Sequence, residues 1–321
     1  MPSSTLDDLA DAYTQVSLRN KRLLDECEIV GLAFQRQGIE CILLKGADLL
    51  SRLYGMRGTR PLSDVDLLVH AQDLPAIHRL LMKTGFAQQI DGNPAYYSAR
   101  STLSLDLVSE LWYLDEEGLA ALWARTRSRP LGQLIVKQLA SDDLLLYVVA
   151  YTVVHRGHFA PSFFTDLRLL IEKESFHWPT IVEEATRRHL KIPLAHGLRQ
   201  LILSNATIRI PSAILKQLAP STQSERVLNF LFQRLVTTRP LPELGHFLLW
   251  ITQAPGHRFA WLRRTLFPSS RFLAYRYGEE SATRPWQTRI TRWWQLARAG
   301  SILIVRMLIR LVIDQAARTT S

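Results

Sequence analysis

The sequence predicts an α+β fold, a mixed sheet with flanking helices, followed by a mostly α-helical second half. Three observations carry this expectation. Up to Ala140, short apolar runs of strand length alternate with helical stretches. Glycine, proline and Asp-Gly signals separate those runs. From Ser141 onward helical periodicity dominates to the end of the chain, punctuated by Pro161, Pro179, Pro193, Pro211, Pro220, Pro240 and Pro255.

The elements follow in order. Between about Leu6 and Gln37, apolar positions recur at helical spacing, with Leu23, Leu24, Cys27, Val30, Gly31 and Phe34 on one face. This segment is expected to be a helical hairpin that stops near Gly38 and packs beside the sheet. Ile39 to Leu44 reads as the first strand, and Lys45-Gly46 as a turn into a helix. A Gly/Arg/Pro loop then leads to a second strand carrying Asp64 and Asp66. Asp73 before Leu74-Pro75 marks the start of the next helix, which ends at Gly85. Phe86 to Ile90 and Ala95 to Ala99 read as strands flanking an Asp91-Gly92-Asn93-Pro94 turn. Leu103 to Leu107 is the last expected strand, giving αβαβαβββ for the first half. The domain reading is an N-terminal helical segment over 1–38, an α/β domain over 39–140 and a helical domain over 141–321.

Composition narrows the function classes. With 321 residues, 47% of them hydrophobic, the chain can bury a full core. Cys27 and Cys41 lie among apolar residues without metal-type spacing and read as buried thiols, which fits a cytoplasmic setting. No apolar run reaches the ~18 residues of a spanning helix. Templates for P-loop, dinucleotide, zinc-protease and nucleophile-elbow chemistry are missing from the sequence.

The chemistry concentrates between Cys41 and Val69. Along a strand side chains alternate, so Asp64 and Asp66 share a face at a spacing of roughly 7 Å, while Val65, Leu67 and Val69 face the core. Asp106 on a neighbouring strand would bring a third carboxylate within about 5 Å. Carboxylates gathered in this way repel unless a cation neutralises them. An oxygen-only set suits Mg²⁺ or Mn²⁺, which keep positions open for substrate phosphates. Gly46 allows close backbone approach to an anion, and Lys45 adds a point charge. Arg60 and Ser63 flank the carboxylates and are candidates for holding the nucleotide or orienting the loop.

The segment LLKGADLLSRLYGMRGTRPLSDVDLLV, with SLDLVSEL downstream, resembles the bacterial nucleotidyltransferase-like family of the DNA polymerase β superfamily. The likeness continues through SDDLLLYVVAYTVVHRGHF, FFTDLRLL and HWPTIVEEA. It implies Gly46 at the phosphate turn, Asp64 and Asp66 as metal ligands and catalytic residues, and Asp106 as the third catalytic carboxylate. It further implies Lys45 in the Lys-Gly form of the turn, an NTP substrate and a helical wall beyond the sheet. The expected reaction is Mg²⁺-dependent transfer of a nucleoside monophosphate to an unidentified acceptor, with release of pyrophosphate. Ala47 and Val108 depart from the family pattern, which has a second Gly or a Ser at the first position and often a His at the second.

The net charge of +10 is concentrated late. Beyond Ala254 there are twelve arginines, from Arg258 to Arg318, and no lysine, against only Glu279, Glu280 and Asp314. Such a balance fits an acidic protein, an anionic membrane surface or nucleic acid, although no nucleic-acid-binding motif is present. Two alternatives to the transferase therefore stand: an inactive binding module that recruits an acidic partner or membrane surface, and a nucleic-acid-directed transferase. His155, His158 and Asp166 form a weaker metal-site candidate, for which helix capping is the plainer account.

Overall fold

A computed structural model describes residues 3–55, 58–89, 95–98, 103–205, 207–253, 255–278 and 284–319. The chain divides into two compact units, residues 1–140 and 141–321.

The first unit is built on a seven-stranded mixed sheet. Helix α1 (Ser3–Gln35) leads to β1 (Cys41–Leu44), then α2 (Lys45–Leu49), which continues as a π-helical turn over Leu50–Tyr54. There follow β2 (Val65–Val69), α3 (Leu74–Lys83), β3 (Ala87–Gln89), β4 (Ala95–Tyr97), β5 (Ser104–Val108), α4 (Glu116–Ala124), β6 (Arg127–Leu131) and β7 (Leu134–Gln138). The strand order is β3-β4-β5-β2-β1-β7-β6. β1 and β2 are central and antiparallel, β5 runs parallel to β2, and β7 runs parallel to β1. Every residue of β1 and β2 is buried, because both faces of the sheet centre are covered.

Three sequence expectations change. The N-terminal segment is one continuous helix rather than a hairpin; no glycine or proline interrupts it before Gly31. Gly31 itself is a contact point, since a Cβ there would lie 2.2 Å from Leu134 of β7. Asp73 precedes α3 but makes no side-chain capping bond; Pro75 sets the start instead. The outline αβαβαβββ omits α4 and the β6–β7 hairpin. β6 reads RSRPL, whose arginines and proline mask a strand; Pro130 is tolerated because β6 is an edge strand. The expected Asp91–Pro94 turn lies outside the described residues.

In the described residues the second unit is helical. Its helices are α5 (Ser141–Val149, continuing as a π-helical turn over Ala150–Arg156), α6 (Pro161–Lys173), α7 (Trp178–Arg187), α8 (Lys191–Ser204), α9 (Ser212–Gln217), α10 (Gln223–Leu235), α11 (Leu244–Thr252), α12 (Pro255–Leu266), α13 (Ser270–Tyr277) and α14 (Pro285–Thr319). None of the described helices is long and apolar enough to cross a membrane.

Part of the late positive charge serves the fold. Arg258 donates to the carbonyls of Ile251 and Gln253 at the end of α11, at 2.8 and 3.0 Å. Arg292 reaches Thr265 O near the end of α12 (3.1 Å), and Arg310 reaches Leu235 O at the end of α10 (2.9 Å). Helix C-termini present carbonyls with no partner inside the helix, and these guanidinium groups supply one while complementing the negative end of the dipole.

Candidate active site

The site follows from strand register. Leu44, the last residue of β1, pairs with Asp66, and Asp66 pairs with Asp106 across the parallel β2–β5 ladder. Neighbouring strands lie about 4.8 Å apart, so the two carboxylates stand side by side. Asp64 sits in the extended residues just before β2, two positions from Asp66, and its side chain joins the same cluster. One ligand oxygen from each of Asp64, Asp66 and Asp106 lies within 4.8 Å of the other two. Among the described residues this is the only grouping of three or more side chains able to hold a metal ion.

Burial differs across the cluster. Asp66 is 3% exposed, whereas Asp64 and Asp106 are half-buried. Alternation along a strand suggests an open polar face, but the covering of both sheet faces buries the middle carboxylate. Its pKa is pushed up to about 6, chiefly by loss of hydration; the neighbouring Asp64 and Asp106 charges add to the rise and Lys45 opposes it. Lys45 Nζ donates to Asp66 Oδ1 in a close ion pair. Ser63 donates its hydroxyl to Asp64 Oδ1 at 2.7 Å, which orients that carboxylate.

Lys45 is set by the backbone. It has φ 46°, a left-handed conformation that is uncommon for a side chain larger than asparagine. The turn from β1 into α2 therefore holds about 1 kcal/mol of strain at the lysine that pairs with the buried carboxylate. Gly46 follows at a close approach: a Cβ would lie 2.7 Å from an Arg60 guanidinium nitrogen and 2.9 Å from a Leu62 methyl, so those side-chain ends would have to shift. The Arg60 guanidinium thus lies over the turn at Gly46.

Asn20 is the positioning residue that sequence reasoning missed. This fully buried side chain on α1 donates its amide to Arg60 O (2.9 Å) and accepts from Leu62 N (3.0 Å). Both partners flank Pro61, so one carboxamide fixes the loop that delivers Arg60, Ser63 and Asp64. Gly58 strengthens the attachment, since a Cβ there would lie 2.1 Å from the Tyr13 carbonyl of α1. The available signal was one asparagine on the otherwise apolar face of a helix.

The other metal-site candidate is not assembled. His155 stacks on Tyr151, with ring centroids 5.2 Å apart, His158 Nδ1 lies 3.1 Å from Arg156 O, and Asp166 is buried in α6. Among the described residues these side chains form no metal-binding group.

The donor set of the aspartate cluster is oxygen only and carries three carboxylates, with one close ammonium against it. That chemistry fits a hard divalent cation. Residues 1–202 match the model of a family described as "Uncharacterised nucleotidyltransferase". The chain belongs to this nucleotidyltransferase family. Solved structures with which it shares similarity include an antigenic nucleotidyltransferase-like protein from Paracoccidioides brasiliensis, at 18% identity and TM-score 0.40, covering 61% of this chain and 93% of that one. Another is the antibiotic-resistance factor ANT(2'')-Ia, at 16% identity and TM-score 0.37, covering 57% of this chain and 96% of that one. No curated protein matches the chain. The candidate site of this nucleotidyltransferase lies on the first unit's sheet, where the end of β1 meets Asp66 of β2 and Asp106 at the middle of β5.

Proposed function

We propose that the protein transfers a nucleoside monophosphate from an NTP to a hydroxyl, amine or phosphate acceptor. The acceptor atom attacks the α-phosphorus, the bond to the α–β bridging oxygen breaks, and pyrophosphate leaves with that electron pair. The observation that carries this reading is the convergence of Asp64, Asp66 and Asp106 beside Lys45, with the Arg60 guanidinium over the adjoining Gly46.

The three aspartates would hold the cation, Mg²⁺ or Mn²⁺. When bound, it supplies Lewis-acid stabilisation of the charge developing on the phosphoryl and leaving oxygens. Ser63 orients Asp64 for this role by its hydrogen bond. Lys45 and Arg60 face the triphosphate as cations. Lys45 acts from a backbone-fixed turn, and Arg60 presents a fork suited to phosphate oxygens. Gly46 keeps the space between them open. The α-helical part of α2 is only five residues long, so phosphate attraction is assigned to these side chains rather than to the helix end. Asp106, which is half-buried, would accept the acceptor's proton as the new bond forms.

The test supplies each α-labelled NTP with Mg²⁺ or Mn²⁺ and a panel of acceptors, and follows label transfer and pyrophosphate release. Wild type should transfer label, and Asp106→Asn should reduce transfer by roughly 10²-fold or more. Binding of metal and nucleotide without transfer to any acceptor would favour the binding-module reading. Transfer that requires RNA and collapses with salt would redirect the assignment to a nucleic-acid substrate.

A further inference from the structure

Helix α14 has one face in use and one face open. At 3.6 residues per turn, Trp286, Ile290, Trp294, Ile304, Val305 and Leu308 fall within an arc of roughly 100°. Each is about half exposed or more, from 49% at Ile290 to 75% at Trp294. The far side of the helix carries Leu303, 7% exposed, together with Arg289, Arg292 and Arg310, which bind backbone carbonyls of the same unit. The exposed stripe is therefore not the face that closes the core.

The charge around the stripe selects its occupant. From Pro285 to Arg310 there is no aspartate or glutamate. Arg298 is exposed at the edge of the stripe, roughly 20° beyond Val305, and the exposed Arg306 lies roughly 80° further round the helix. An apolar band containing tryptophan, with an exposed arginine at its edge, another further round the helix and no acidic residue from Pro285 to Arg310, matches an interfacial helix on acidic lipid. The arginine stems can cover apolar surface while their heads reach lipid phosphates.

We propose that α14 is a docking surface for an anionic membrane. It would lie in the plane of the interface, with the tryptophans and aliphatic side chains at the boundary between headgroups and acyl chains. The competing occupants fit less well. A second copy pairing through the same stripe would bring two identical basic helices together, with no acidic residue between Pro285 and Arg310 to offset them. Nucleic acid would neutralise the arginines but leave Ile304, Val305 and Leu308 in water. The inference is independent of the chemistry assigned to the first unit.

The experiment mixes the full chain with vesicles of phosphatidylcholine alone or mixed with phosphatidylglycerol, and measures co-sedimentation and tryptophan emission. Wild type should bind the mixed vesicles with a shift of emission to shorter wavelength, and binding should weaken when salt rises from about 0.1 M to about 1 M. Trp294→Glu with Leu308→Glu should reduce partitioning at least roughly tenfold. Arg298→Gln with Arg306→Gln should remove the preference for the anionic vesicles and leave the residual apolar association. All four positions are exposed, and circular dichroism would verify that each variant is folded. Equal affinity of wild type for the two vesicle types, or none for either, would overturn the proposal. So would light scattering that shows a dimer abolished by Trp294→Glu, because the stripe would then be a contact between copies.

Discussion

Two buried aspartates of the first unit sit in opposite electrostatic situations. Asp48, on α2, is fully buried, with Arg129 Nη2 at 3.1 Å and Arg52 Nη1 at 3.9 Å; Arg129 also donates to Ser51 at 2.5 Å. Asp66, on β2, is almost as buried but shares its surroundings with two further carboxylates and a single close lysine. The first region is over-supplied with positive charge and ties α2 to the β6 edge. The second is under-supplied and suits an arriving cation. Burial alone therefore does not distinguish a structural carboxylate from a candidate ligand; the balance of nearby charge does.

Breaking the first region should produce the largest loss of stability. Asp48→Ala leaves two mostly buried arginines facing each other, and unfolding in denaturant should show a loss of ~3–5 kcal/mol. Asp66→Asn should act differently, lowering nucleotidyl transfer by roughly 10²–10³-fold while the melting temperature holds or rises. A loss of stability as large as that of Asp48→Ala would erase the distinction. The pH dependence sharpens it further. The Asp66 pKa is raised from 3.8 to about 6, so between those values the folded chain keeps a proton that the unfolded chain has lost. Its contribution is greatest below pH ~4, declines as pH rises to ~6 and is flat above, a change of about 3 kcal/mol for the metal-free protein. Calorimetry across that window should show this component vanish in Asp66→Asn. Added Mg²⁺ should offset the decline, with affinity falling as pH drops below ~6. The smallest effect belongs to the turn between the two regions. Gly46→Ala forces Arg60 and Leu62 outward, with an expected loss of ~1–3 kcal/mol and weaker nucleotide binding in a fluorescent-analogue titration.

Much of the site was legible because its spacing is local. Asp64 and Asp66 are two residues apart, and the Lys45-Gly46 turn directly follows an apolar strand. Asp106 was readable once a neighbouring strand was assumed, and the register pairs it with Asp66. What escaped depends on long-range partners. Asn20 contacts residues forty positions away, and Asp48 reads as an ordinary helix carboxylate until β6 brings Arg129 to it. β6 was hidden for the same reason, since its identity as a strand comes from pairing with β7 rather than from its own composition. The late arginines gave a correct excess of charge, but several serve as caps for helix ends, a use that composition cannot reveal.

The Asn20 carboxamide makes α1 part of the candidate site in a mechanical sense. The strap from α1 to the Arg60–Leu62 loop runs outside the sheet, so the alignment of Ser63 and Asp64 is transmitted through a helix that contributes no reacting group. A fragment starting at the first strand would retain Asp64, Asp66, Asp106, Lys45 and Arg60, yet its loop would lose the anchor that sets their relative height. A fragment meant to keep the geometry of the candidate site accordingly has to include α1 from upstream of Asn20.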